Sequence, residues 1–368
     1  MNLETLSDAE LIALFKTTKS KKIEYDGKQL ATKIFANAFY GGLANEYSTW
    51  FSYDIAESIT LTGQLASKFV EKYANDHLNK LLKTVDHDYV IAVDTDSAYF
   101  DMEKVVNKKF PNGADKDTIA KFLNKFNAHI QEEIIEKAMQ DMYKATNVYQ
   151  EKFHMKPEVI GQAIWRKAKN YVMGIWVEEG IFYNETKIKM KGIEAVKSST
   201  PEVCRNYIKA CIPLILDNDK EGILKHIEKS KDEFFKMEFH QVANPGGVNG
   251  IQKYSGVDSL YIKGTPMRVR ASLLHNKMLK DLGMEKEVPL IQDGDKIKFS
   301  YMLLPNPLRE NVFAATDELP EEFELSKYID YEKQFNVTAM KPIISLATPA
   351  GISLDNKSDL SQFEVESS

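Results

Sequence analysis

Two apolar runs, Tyr89-Val90-Ile91-Ala92-Val93 and Ala98-Tyr99-Phe100, flank the polar residues Asp94-Thr95-Asp96-Ser97. The runs are β-prone and the residues between them turn-like, so the stretch reads as a β-hairpin. Side chains alternate along a strand, so Asp94 and Asp96 can leave on one face. Two carboxylates that close repel each other. A divalent cation relieves the repulsion, and Mg²⁺ takes such oxygens together with substrate phosphates. The chemistry this suits is phosphoryl or nucleotidyl transfer at a metal site. The competing reading is an acidic turn and nothing more, because Asp and Ser favour turns in any case.

A second set of chemistry-bearing residues lies upstream. Ser7 can cap a short helix through Glu10 and Leu14, with capping-box spacing. Lys19 to Lys22 reads as a basic, solvated loop, and Asp26-Gly27 as a break before a helix from Lys28 to Tyr40. Its apolar positions include Leu30, Ile34, Phe35 and Ala38, and Gly41-Gly42 is expected to end it. Gln29, Lys33 and Asn37 recur at i, i+4 and i+8 and so form one line. Asn is a poor mid-helix residue, because its amide competes with the backbone. A lysine and an amide one turn apart suit a triphosphate, one as a point charge and the other as a directional donor. An amphipathic helix with a wet lysine would look the same.

These residues must be held by the rest of a long chain. At 368 residues it has room for two or three domains. Its 43% hydrophobic and 28% charged content is ordinary for a globular protein. No apolar run reaches bilayer-spanning length, no basic and apolar leader is visible, and no membrane partner is expected. Cys204 and Cys211 are two helical turns apart, about 10 Å, too far to bridge, which fits a reducing cytoplasm. No Cys or His spacing suggests zinc. The net charge of −6 argues against a nucleic-acid binder whose whole surface is basic, but leaves room for a basic groove.

Several elements can be read from pattern. Ser52 to Leu82 reads as a long helix with Ile55, Ile59, Thr62, Leu65, Ala66, Phe69 and Tyr73 on its core side. After a loop at Pro111-Asn112-Gly113, Ile119 to Met139 lays out another, with Glu132, Glu133 and Lys137 facing water. Strands are expected at Ile160–Trp165, Asn170–Val177, Ile181–Tyr183 and Lys187–Met190, with Glu178-Glu179-Gly180 as a hairpin turn. Trp165, Arg166, Lys167, Lys169 and Tyr171 interleave aromatics with cations, a pattern suited to nucleic-acid phosphates and groove edges. An ordinary sheet face with exposed lysines is the alternative. Helices follow at Glu202–Leu216 and Glu221–Met237. Asn244 to Gly250 reads as a loop, Ile297–Leu304 as a strand and Tyr328–Phe335 as a helix. Lys263, Arg268, Arg270, Lys277 and Lys280 form a basic stretch that is either a duplex grip or a solvated face.

Lys33-Ile34-Phe35-Ala36-Asn37-Ala38-Phe39-Tyr40-Gly41 resembles the Lys-x-x-x-Asn-x-x-Tyr-Gly run on the last fingers helix of B-family DNA polymerases. Asp94-Thr95-Asp96-Ser97, some fifty residues on, resembles the palm hairpin of the same family. Within the family the likeness is to the replicative enzymes of T-even-type phages. It implies that Lys33 and Asn37, with Gln29 on the same line, contact the incoming dNTP. Tyr40 would lie beside the nascent base pair. Asp96 would be a catalytic Mg²⁺ ligand and Asp94 its neighbour. The phage enzymes carry a Lys-Lys-Arg-Tyr run where this chain has Ala168-Lys169-Asn170-Tyr171. Lys169 and Tyr171 carry over as primer–template DNA contacts, with Arg166 and Lys167 close by and Lys191 opening the next matched run. Lys191-Gly192-Ile193-Glu194 and Ser198-Ser199-Thr200-Pro201 match the family where palm gives way to thumb, and Gln252-Lys253-Tyr254 resembles the phage thumb.

The implied architecture is α+β: a polymerase palm with an antiparallel sheet and packed helices, partial helical fingers and a mainly helical thumb. Residues 1–45 would be the C-terminal part of the fingers, 46–199 the palm, 200–350 the thumb and 351–368 a disordered polar tail. Leu360 and Phe363 loosely match the tail peptide with which the phage enzymes bind their sliding clamp. The family's Asp-x-x-Ser-Leu-Tyr-Pro run, which holds the other metal-binding aspartate, is absent, and so is an exonuclease domain. Two-metal chemistry needs carboxylates from both halves of the palm. The expectation is therefore one subunit of a split phage polymerase, working in the cytoplasm of an infected bacterium. An N-terminal polymerase/exonuclease polypeptide would complete it. A non-catalytic DNA-binding remnant and an unrelated metal-dependent phosphohydrolase are the competing readings.

Overall fold

The computed structural model describes residues 5–94, 97–257 and 259–354. Thr95, Asp96, Leu360 and Phe363, on which part of the sequence reading rests, lie outside the described residues. The described residues form a mixture of helices and three small antiparallel sheets. It divides into two compact units, Met1–Asn112 with Asn127–Lys156, and Gly113–Phe126 with Pro157–Ser368.

In the first unit, α1 runs unbroken over Asp8–Ala44. Ser7 caps it as expected, in a capping box with Glu10. The expected loop at Lys19–Lys22, the break at Asp26-Gly27 and the stop at Gly41-Gly42 do not occur. A glycine inside a helix costs only about 1 kcal/mol relative to alanine. An exposed Glu24–Lys28 ion pair spans the Asp26-Gly27 site at 2.6 Å. Among the described residues no atom lies within 4 Å of a Cβ placed at Gly27, so nothing there imposes a turn. The helix buries nothing. Leu30 and Ile34, expected on a core face, are each 58% exposed, and Phe35 is 73% exposed.

Helix α2 (Tyr53–Leu82) forms where helical periodicity places it. Its buried residues are Ala56, Ala66, Ser67, Val70, Ala74 and Leu78; of the expected stripe Ala66 is buried and Leu65, Phe69 and Tyr73 are half-buried. Ile55 and Ile59 are exposed. Strands β1 (Val90–Asp94) and β2 (Ser97–Phe100) form the expected hairpin, followed by α3 (Glu103–Lys109). The next helix is not uniform. It comprises α4 (Lys116–Ile130), whose residues divide between the units, a π-helical turn over Gln131–Glu136, and α5 (Lys137–Thr146). The wider turn lets both Ile134 and Ile135 reach the core, while Glu133 pairs with Lys137 at the surface.

In the second unit, β3 (Val159–Lys167), β4 (Asn170–Glu178) and β5 (Ile181–Lys191) form an antiparallel sheet in that order. The two strands expected between Ile181 and Met190 are one. Ile164 and Val172, with Ile188 and Met190 packed against them, turn one face of this sheet to the main core. Helices α6 (Glu202–Leu216) and α7 (Lys220–Phe234) cover that core with Ile208, Ile212 and Phe234. A short α8 (Phe239–Val242) leads into β6 (Asn244–Gly247), α9 (Ile251–Tyr254) and α10 (Met267–Leu282).

Asn244–Gly247 is thus a strand where a loop is expected. It pairs with β7 (Lys296–Tyr301), which pairs in turn with β8 (Val312–Ala315). Asn-Pro-Gly-Gly has poor β propensity, and the distant partner overrides it. The region expected to be mainly helical therefore contains a three-stranded sheet. Strand β8 is buried throughout. Phe313 and Ala315 enter the main core, and Val312 and Ala314 enter a second core with Val269, Ile297 and Phe299. The expected helix at Tyr328–Phe335 is a 3₁₀ turn at Ser326–Tyr328 and then α11 (Tyr331–Phe335), capped by Asp330. A π-helical turn leads from it into α12 (Lys341–Ala347). Ile352 and Leu354, expected in the tail, are buried in the main core.

Candidate active site and nucleic-acid interface

In the hairpin, Asp94 pairs with Ser97, Val93 with Ala98 and Ala92 with Tyr99, with a bulge between Val90 and Ala92. Asp94 is half-buried, and the Ser97 hydroxyl donates to its backbone oxygen at 3.3 Å. The hairpin is anchored at its base by Tyr89, which is fully buried. The Tyr89 amide donates to Asn75 Oδ1 at 2.8 Å, its carbonyl accepts from the Asp101 amide, and its hydroxyl meets Thr84 Oγ1 at 2.8 Å. Asn79, one turn after Asn75 on α2, donates to the His87 carbonyl and accepts from the His87 amide and the Thr84 hydroxyl. The sequence reading singled out neither asparagine. Two asparagines at i, i+4 inside a long helix are the signal that could have found them, because Asn is a poor helix former without a specific use.

Among the described residues no group of three His, Cys, Asp or Glu side chains could hold a metal ion. Asp94 offers carboxylate oxygens of the type Mg²⁺ takes, but alone it is fewer ligands than that ion requires. Gln29, Lys33, Asn37 and Tyr40 all lie on α1 and are all exposed. Their spacing keeps the first three in one line, and among the described residues none of the four side chains has a hydrogen-bond or ion-pair partner.

The basic and aromatic residues of the second unit gather at one end of the β3–β4–β5 sheet. Lys167 pairs with Asn170 across the turn, which leaves Ala168 and Lys169 as its tip, with Lys169 at φ +58°. Trp165, Tyr171 and Lys191 stand at directly paired positions on the three strands, so their side chains share one face. Lys167, Lys169 and Lys191 are exposed. Gly192 closes the end of β5 against this turn. A side chain there would lie 2.1 Å from the Lys169 carbonyl oxygen, so only glycine fits. Asn170 Nδ2 donates to the Gly192 carbonyl at 2.9 Å.

Two of the expected DNA contacts are engaged within the fold. Tyr171 is 2% exposed, so its ring backs Trp165 and is not open to a ligand. Arg166 donates to Glu194 at 2.8 Å, and Lys197 donates to the same carboxylate at 3.0 Å. Burial pushes the Glu194 carboxyl up, but the bonds from Arg166 and Lys197 outweigh it and hold the group below its ordinary value. Of the basic stretch further on, Arg268 lies over Phe299, Arg270 donates to Asn311 at 2.6 Å, and Lys277 pairs with Asp281. The two arginines fasten α10 to its neighbours.

Residues 11–246, which include all but the first three residues of α1, the hairpin and the β3–β4–β5 sheet, match the family model for DNA polymerase family B. The DNA-directed DNA polymerase of Enterobacteria phage T4 is 25% identical over 372 aligned positions, covering 97% of this chain and 41% of the phage protein. That of Escherichia phage RB69 is 26% identical over 351, covering 90% of this chain and 38% of the phage protein. The chain thus spans about two fifths of the length of these relatives. With more than half of its residues inside the family model, the chain belongs to DNA polymerase family B.

Proposed function

We propose that this chain is the C-terminal part of a split phage replicative DNA polymerase, supplying one catalytic metal-binding aspartate, the dNTP-binding helix and the DNA-gripping thumb. The observation that carries the reading is the β1–β2 hairpin. It forms inside the family-matched region, with Asp94 paired to Ser97 at the end of two short strands. Asp96, and Asp94 beside it, would hold Mg²⁺, which when bound neutralises the triphosphate and activates the primer hydroxyl. Lys33, Asn37 and Gln29 bind the dNTP phosphates, and Tyr40 meets the nascent base pair. Lys167, Lys169 and Lys191 bind primer–template phosphates, with Trp165 as the aromatic surface among them. On this reading residues 1–45 belong to the fingers, 46–199 to the palm and 200–350 to the thumb.

The second aspartate-bearing run is not in the sequence, and we read it as supplied by a separate polymerase/exonuclease polypeptide. The exposed apolar residues of α1, Ile12, Ile23, Leu30 and Ile34 among them, support such an interface. The test is primer extension with Mg²⁺ by this chain, by a polypeptide carrying the missing run, and by the mixture, with size-exclusion chromatography alongside. A stoichiometric complex that alone synthesises DNA is the expected result. Robust extension by this chain alone refutes the split reading. DNA binding without synthesis in the mixture favours a non-catalytic DNA-binding remnant.

A further inference from the structure

A two-stranded ribbon is marginally stable by itself. The β1–β2 hairpin has no third strand among the described residues, and a bulge already interrupts its register. A slip of one residue would turn every side chain of β1 to the opposite face, Asp94 included. The hairpin therefore needs an external anchor, and the described contacts place one on α2.

We infer that Asn75 and Asn79 are positioning residues that fix the register of the strand carrying Asp94; the inference rests on the polymerase reading above. An amide side chain offers both a donor and an acceptor. Asn75 uses both: Oδ1 accepts from the Tyr89 amide at 2.8 Å, and Nδ2 donates to Asp88 Oδ1 at 3.0 Å. Asp88 Oδ1 in turn accepts from the Val90 amide at 3.1 Å, the first residue of β1. Asn79 also uses both: Nδ2 donates to the His87 carbonyl at 2.8 Å, and Oδ1 accepts from the Thr84 hydroxyl at 2.7 Å and the His87 amide at 3.1 Å. One helical turn separates the two, so a rigid face of α2 grips the segment from Thr84 to Val90 at two heights. Neither asparagine touches the reacting groups; each acts through the strand.

The test compares wild type with Asn75→Leu, Asn79→Leu and the milder Thr84→Val in the full chain. Leucine is close to asparagine in size and a better helix former, so α2 itself is not threatened. Hydrogen exchange of this chain alone is read at residues 89–94, against α6 and α10 as internal references. Single-turnover incorporation is read in the complemented enzyme. The asparagine variants should speed hairpin exchange about tenfold or more without moving the references. They should slow incorporation by about ten- to a hundredfold, the scale on which small misplacements act, with apparent dNTP and primer–template affinities within about twofold. Thr84→Val should move both readouts the same way by less. Unchanged hairpin exchange overturns the proposal, and so does a loosened hairpin with an undiminished rate. If wild type makes no DNA with any complementing chain, the polymerase reading has failed, and the exchange arm still decides whether the amides hold the strand.

Discussion

Trp165 and Tyr171 stack face to face across β3 and β4, with ring centroids 4.2 Å apart and planes 9° apart. Tyr171 is the buried member, so the pair presents the Trp165 ring. Tyr171→Leu should destabilise the second unit by about 2–3 kcal/mol in denaturant unfolding, through lost packing and stacking. Trp165→Ala loses the same stack from its more exposed side, so it should cost about 1 kcal/mol and weaken primer–template binding about tenfold, the scale of one base–aromatic stack. Fluorescence anisotropy with a labelled primer–template reads the second effect.

Arg166 is paired with Glu194 at 2.8 Å, and on the proposed reading a DNA phosphate would compete with that carboxylate for it. Glu194 has a depressed folded-state pKa, so the stabilisation it brings is present above the unfolded value near 4.5 and is lost as pH falls through the folded one. Glu194→Gln should cost about 1 kcal/mol at neutral pH, since the pair is partly screened, and flatten that acid limb. The same variant frees Arg166 and should tighten primer–template binding, most visibly at low salt.

His275 sits in the main core against Phe313 and Phe323, fully buried. Burial pulls its pKa down from 6.5 to about 4. A His that must stay neutral to remain folded gives full stability above the unfolded pKa and loses it as pH falls from 6.5 toward 4. The loss should approach about 3 kcal/mol by pH 4. His275→Leu should remove most of this pH dependence in thermal melts recorded between pH 7 and 4.

Asp96→Ala should abolish incorporation by the complemented enzyme, by about a thousandfold or more, while primer–template affinity stays within about twofold. A metal ligand acts on the transition state, whereas phosphate contacts position the DNA. On the proposed reading, Lys33→Ala should weaken apparent dNTP affinity and slow incorporation, and Asn37→Ala should do so more mildly, because one would lose a charge-assisted contact and the other a neutral one. Single-turnover kinetics with varied dNTP separate these outcomes.

Ile34 is 58% exposed on α1, a helix with no buried residue. Ile34→Glu should therefore leave the melting temperature unchanged. If α1 docks on the complementing polypeptide, the same charge should abolish co-elution with it on size exclusion. Retained co-elution would place the interface elsewhere.

Local physics made part of this protein readable. The β1–β2 hairpin follows from two β-prone runs on either side of a polar stretch. Helices α2 and α6 follow from apolar periodicity, and the Ser7 cap from a box of two residues. In each case the deciding interactions lie within a few residues of one another, so the chain states them in order. The line of Gln29, Lys33 and Asn37 survives for the same reason, because helical spacing alone sets it.

Only the tertiary structure decided the rest, because those choices depend on partners far away in sequence. Asn244–Gly247 becomes a strand because β7, about fifty residues on, offers it a ladder. Gly27 and Gly41 stay helical because, among the described residues, no atom crowds either position to turn the chain there, and isolated glycines exact only a small cost. Arg166 turns from an apparent DNA contact into an ion-pair partner when Glu194 arrives beside it, and Tyr171 is buried behind Trp165 by its place on the central strand β4. Asn75 and Asn79 acquire a purpose only when the loop before β1 folds back along α2, bringing backbone groups to amides that helix propensity alone would disfavour.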